Sequence, residues 1–166
     1  KQKTAYEIRN CDWSSDVCSS DLLSNIVTTT LGVIAVNDPP LLDLDADDSS
    51  DPTFVNGFNT TFVEGSGGTA IVDADVSILD PDDGFLESAT IVLTNRPDGD
   101  EVESLFMDPD AAGAAAAAGI TVGAYDPTTG TIVLTGTATL ADYEAALLGL
   151  RYNNTSTTPS ITLRTV

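Results

Sequence analysis

Apolar and polar positions alternate in short runs along most of this chain, and the runs are separated by turn-forming residues. Ala70, Val72, Ala74, Val76 and Ile78 alternate with Ile71, Asp73, Asp75 and Ser77, a period of two that predicts one strand over residues 70–78. Asp80-Pro81-Asp82-Asp83-Gly84 ends it. Residues 89–94 predict a further strand, closed by the turn Arg96-Pro97-Asp98-Gly99-Asp100. Residues 120–125 and 130–135 flank Asp126-Pro127-Thr128-Thr129 and predict a hairpin, with Gly130 free to take positive φ. Residues 150–153 and 160–166 supply two more strands. Nearer the start, Ser24 to Val36 is rich in β-branched residues and stops at Asn37-Asp38-Pro39-Pro40, where proline cannot donate to a ladder.

Two stretches depart from this rhythm. Leu140, Tyr143, Leu147 and Leu150 recur at helical spacing, with Thr139 at the N-cap position and Asp142 three residues on. They predict one short helix near 139–149 with a capping box. The alanine run 111–118 has helical propensity but contains Gly113 and no large apolar face, so helix and inter-strand loop remain alternatives. Many short strands with turns every 8–15 residues predict an all-β sandwich. Parallel α/β is disfavoured, because crossovers need longer helices between strands. Phe62, Phe85, Phe106, Tyr125 and Tyr143 are the expected core aromatics.

Composition changes abruptly after residue 22. Both cysteines (Cys11, Cys18), both lysines (Lys1, Lys3) and the single tryptophan (Trp13) precede it, and no histidine occurs anywhere. Lys1–Ile8 and Asp12–Leu22 resemble an in-frame translation of a sequencing adapter. The segment lacks the apolar stretch of a secretory signal. It is therefore set aside as artefactual, and it is expected to be disordered.

The chain carries 26 acids against 6 bases. Removing the four acids and three bases of residues 1–22 leaves 22 acids and three bases (Arg96, Arg151, Arg164), a net charge of −19. Such acidity argues against nucleic-acid binding, which needs Lys and Arg against phosphates. No apolar run approaches the roughly 18 residues of a membrane helix. Without histidine there are no imidazole bases, and the many Ser and Thr have no lysine partner either beyond residue 22. The chain is expected not to be an enzyme, with no catalytic residues assigned.

Several words in order carry a family likeness. They are Val36-Asn37-Asp38-Pro39-Pro40, Phe62-Val63-Glu64-Gly65, Leu79-Asp80-Pro81-Asp82-Asp83, residues 89–93, residues 125–132, residues 140–147 and Arg151-Tyr152-Asn153-Asn154. Together, residues 24–166 resemble the cadherin-like tandem repeats of giant bacterial surface proteins and RTX-type adhesins. The likeness implies a seven-stranded Greek-key, immunoglobulin/cadherin-like sandwich. It also implies calcium-stiffened junctions and a place outside the cell or on the bacterial surface. Residues 23–40 would be the last strand of a preceding repeat plus linker, and 41–166 a repeat truncated at its C-terminus. The orphan strand 26–36 is then expected to fold back beside residues 161–166 and fill a vacant edge. Carried over residue by residue, the likeness gives Asn37, Asp38, Glu64, Asp80 and Asp82 as calcium ligands.

Two other acid clusters are candidates on their own chemistry, since calcium takes six to eight oxygens from short loops. Asp43, Asp45, Asp47 and Asp48 mimic the start of an EF-hand. However, Asp48 stands where glycine is needed and Phe54 where the bidentate Glu belongs, so only a looser calcium loop or an acidic linker is left. Asp98, Asp100, Glu101 and Glu103 follow a proline turn and read as a weaker site or a solvated hairpin tip. The expected function is a calcium-binding extracellular repeat module, acting in adhesion or as a stiff spacer. Its partners would be neighbouring repeats and, through other domains, surface or matrix ligands. The alternative is a calcium-independent spacer of a secreted enzyme or binding protein.

Overall fold

A computed structural model describes residues 28–166. The adapter-like segment and residues 24–27 of the first expected strand lie outside the described residues. The chain divides into two units, residues 1–36 and 37–166.

In the first unit, residues 28–36 form no regular secondary structure. Leu31, Val33, Ile34 and Val36 are 78–89% exposed. The strand expected over 24–36 is therefore not formed in its described part. The physical reason is that a strand has no internal hydrogen bonds; β-branched composition favours the extended form but supplies no ladder partner.

The second unit is mostly β, with strands β1 (Leu41–Asp43), β2 (Thr69–Ala70), β3 (Ser77–Leu79), β4 (Phe85–Val92), β5 (Glu103–Met107), β6 (Thr121–Val122), β7 (Thr131–Thr139) and β8 (Leu150–Asn154). Helices α1 (Pro109–Ala117) and α2 (Leu140–Leu148) interrupt them. The strands pair antiparallel as β1-β3, β2-β8-β5 and β4-β7-β6. One apolar core is shared by both three-stranded sheets and both helices: Leu105, Leu150 and Tyr152 meet Leu93, Ile132, Leu134, Ala138, Tyr143 and Leu147. The all-β class expected from the sequence is thus observed, with two short helices rather than one.

The longest pairing, β4 with β7, follows from alternation: Ile132, Leu134 and Ala138 are buried while their neighbours are not. Leu86 faces Ala138 but Ser88 faces Thr135, so β7 carries one extra residue opposite Glu87. Gly136 lies in this bulge with φ 135°. The predicted hairpin forms as β6-β7, and Gly130 takes φ 73°.

Helix α2 is the one the sequence announced. Asp142 N–H donates to the Thr139 hydroxyl at 3.2 Å and Thr139 N–H returns to the Asp142 carboxylate at 3.2 Å, closing the capping box. Such a cap contributes about 1 kcal/mol. Tyr143, Ala146 and Leu147 form the buried face, and the Tyr143 hydroxyl donates to the Gly136 carbonyl at 2.7 Å. Glu144 accepts from Ile78 N–H at 2.7 Å, tying the helix to β3. Helix α1 resolves the open alternative at the alanine run. Pro109 begins it, and its small side chains permit close approach to the end of α2. A Cβ on Gly149 would stand 2.2 Å from that of Ala111.

Three further expectations are corrected. Residues 70–78 do not form one strand: β2 ends at Ala70, and a turn intervenes before β3. The aspartates that mimicked outward strand positions bind backbone instead. Asp73 takes the Ala74 N–H on its carboxylate, while Val76 N–H donates to the Asp73 carbonyl at 3.3 Å. Residues 160–166 form no strand, and their polar side chains bond locally, as when the Ser160 hydroxyl accepts from Thr162 N–H at 3.2 Å. Phe62–Gly65, one of the words of the family likeness, forms no strand. Glu64 sits in a turn, and Gly65, Gly67 and Gly68 all take positive φ. Of the expected core aromatics only Tyr143 is fully buried, and Phe85 is 54% exposed. Tyr152, outside that group, is buried, with Phe62 edge-on at 5.3 Å.

Candidate functional site

Among the described residues, one group of three acids brings its oxygens close enough to share a cation. Asp45, Asp73 and Asp75 each place a carboxylate oxygen within 4.8 Å of the others. Oxygens bound to one calcium ion stand at most about 5 Å apart, given calcium–oxygen distances near 2.5 Å. Asp45 comes from the loop after β1, and Asp73 and Asp75 from the turn between β2 and β3. Backbone bonds hold the two loops together. Asp73 N–H donates to the Leu44 carbonyl at 2.8 Å. Asp75 accepts from Ala46 N–H at 3.2 Å and Asp47 N–H at 2.9 Å.

Asp45 is wholly buried. It accepts from Ser49 N–H at 3.1 Å and Ser50 N–H at 2.8 Å. Hydrogen bonding from Ser50, helped by Ser49, holds its carboxyl below the usual range, against the opposing effect of burial. No described cation balances the trio. Arg96 pairs with Asp100 at 2.7 Å, Arg151 with Asp108 at 2.9 Å, and Arg164 with Asp98 at 2.6 Å and Glu103 at 2.9 Å. The trio supplies three of the oxygens that a calcium ion takes, so backbone carbonyls and water would complete its shell.

The five ligands expected from the family likeness are brought together only in part. Asp38 N–H donates to the Asp82 carboxylate at 2.6 Å, and Asp82 N–H to Asp80 at 2.9 Å. The Asn37 side chain turns to the Asp38 carbonyl at 3.0 Å. Glu64 is exposed in its own turn, with no bond to the other four. The cluster at Asp43–Asp48 contributes one member, Asp45, to the trio. Asp73 and Asp75 escaped the sequence reading because they fell inside an alternating pattern. The signal was present as an Asp-x-Asp pair.

The third cluster is not a hairpin tip. Glu103 is wholly buried at the start of β5, and it occupies an inward position at period two with Leu105. Its carboxylate accepts from the Tyr152 hydroxyl at 2.6 Å, Asp98 N–H at 2.7 Å and Arg164 Nε at 2.9 Å. Asp98 in turn accepts from Asn154 at 2.7 Å, Ser160 N–H at 2.9 Å and Arg164 Nη2 at 2.6 Å. The Asn154 bond, then the Ser160 N–H and the guanidinium, hold the Asp98 carboxyl below its ordinary range.

Burial, reinforced by the bond to Glu103, pushes the Tyr152 phenol up to about 12. The folded chain thus keeps this proton more tightly than the unfolded chain, whose phenol titrates near about 10. The resulting stabilisation is complete below about pH 10 and is lost as pH rises towards about 12. Thermal melts across that window, followed alongside tyrosinate absorbance, are expected to show falling stability that Tyr152→Phe flattens.

Compared with family models, curated proteins and solved structures, the chain matches none. No helix among the described residues is long and apolar enough to cross a membrane.

Proposed function

We propose that this chain is a non-catalytic, calcium-binding repeat module of a large extracellular or surface-attached adhesin-like protein, with the Greek-key sandwich of cadherin-like repeats. The observation that carries the calcium part is the convergence of Asp45, Asp73 and Asp75 with no described basic partner. A divalent ion there would offset three clustered carboxylates and pin the β1 loop to the β2–β3 turn. The likeness of residues 24–166 to tandem repeats supports the rest: neighbouring repeats as partners, and adhesion or stiff spacing as the task. The ion's work on this reading is mechanical, since locking two loops together lowers the module's freedom to bend.

Extracellular calcium modules bind at about 10⁻⁴–10⁻³ M. At about 10 mM calcium, mass action then stabilises the fold by about 1.4–2.7 kcal/mol. Melts of the full chain in calcium and in chelator should differ accordingly. Asp45→Asn with Asp75→Asn should abolish the difference, and Asp38→Asn with Asp82→Asn should leave it. The reverse result would move the site to the linker. Equal melting temperatures in calcium and chelator would remove the metal and leave the calcium-independent spacer.

A further inference from the structure

A groove of about 750 Å³ runs between two walls of the second unit. One wall includes Phe62, Ile71, Tyr152 and Asn154, and the other is residues 159–166. This second wall buries little apolar surface: Ile161 is 100% exposed and Leu163 86%, with only Val166, at 44%, more than half covered among its large apolar side chains. Its attachments are polar and lie at three points. Ser160 N–H binds Asp98, and Arg164 binds Asp98 and Glu103. Beyond the end of β4, Thr94 N–H donates to the Thr165 carbonyl at 2.8 Å, the Asn95 side-chain amide to the Leu163 carbonyl at 2.6 Å, and Thr165 N–H to Asn95 at 2.8 Å.

Arg164 also donates to the carbonyls of Ser160 and Thr162 in its own segment. The segment is therefore wrapped around the same guanidinium that fastens it. We infer that residues 159–166 form a strap that closes this groove and opens as a unit when Arg164 lets go, while both three-stranded sheets stay folded. Local opening is cheapest where few apolar contacts are lost and the freed polar groups meet water. Both conditions hold here. On opening, Glu103 keeps its bonds from Tyr152 and from Asp98 N–H. The strap thus governs access to the apolar face of Phe62 and Ile71.

Hydrogen exchange on the full chain tests this, comparing wild type with Arg164→Gln. The amides of Ser160 and Thr165 are expected to exchange at least tenfold faster in the variant, with the β5 and β8 ladder amides unchanged. In wild type, the strap amides should exchange through an opening that low urea does not accelerate, below the threshold of global unfolding. The inference is overturned if strap and ladder amides accelerate together, if the strap amides do not respond, or if Arg164→Gln fails to fold. It is overturned equally if wild-type strap amides follow the global urea dependence. Because the readout needs no calcium, its failure is distinct from failure of the metal proposal.

Discussion

Glu103→Ala is expected to lower the unfolding free energy by about 3–5 kcal/mol, the usual cost of breaking a buried ion pair from one side. Three donors converge on this carboxylate, and the substitution treats them differently. Arg164 can leave with the strap and find water. The Tyr152 hydroxyl and the Asp98 N–H lie at the packed end of the sheet and lose their acceptor where solvent is scarce. Arg164→Gln should therefore cost clearly less than Glu103→Ala. Replacing the group with apolar shapes, as Glu103→Leu with Tyr152→Phe and Arg164→Met, should recover only part of the loss, because the Tyr152 and Arg164 donors go with the carboxylate while Asp98 N–H still lacks its acceptor. Urea unfolding of these variants gives the comparison. A loss below about 1 kcal/mol for Glu103→Ala would mean that this carboxylate does not hold β5 to β8.

The second large effect is expected at Gly136→Ala. The bulge in β7 holds this residue at φ 135°, and a Cβ there would stand 2.1 Å from the Gly119 carbonyl oxygen. Backbone cannot swing aside as a flexible side chain does. The turn after α1, the bulge and the Tyr143 hydroxyl on the Gly136 carbonyl would all have to shift. Strain and overpacking together put the loss at about 2–6 kcal/mol. Gly113→Ala is the control: it lies in helix α1, with nothing within 4 Å of its added Cβ. It should be stabilising by about 0.5–1 kcal/mol on helix propensity. If thermal melts showed both variants equally affected, close approach at Gly136 would not be the cause.

Several features were legible in the sequence because they depend on neighbours along the chain. The capping box of α2 needs only Thr139 and Asp142, three residues apart. The β6-β7 hairpin needs Asp126, whose carboxylate accepts from Thr128 N–H at 2.9 Å, and a glycine able to take positive φ at 130. The failures share one cause. Residues 70–78 satisfied a strand pattern, but Asp73 and Asp75 had backbone partners in another loop, which no local count contains. Strand β5 was hidden because its first inward residue is a glutamate, and a buried carboxylate looks polar until its partners are known. Residues 28–36 and 160–166 carried strand composition without a strand to pair with.

By itself, then, the sequence determined the all-β class, several of the turns, one capped helix and an excess of acid that its few arginines cannot balance. Only the tertiary structure decided which acids meet. Asp45 joins Asp73 and Asp75 across the β1 loop and the β2–β3 turn. Glu103 and Asp98 meet an arginine more than sixty residues further on. Such meetings are set by sheet register and chain reversal, which bring distant positions within bonding range, whereas composition and spacing constrain only what lies within a few residues.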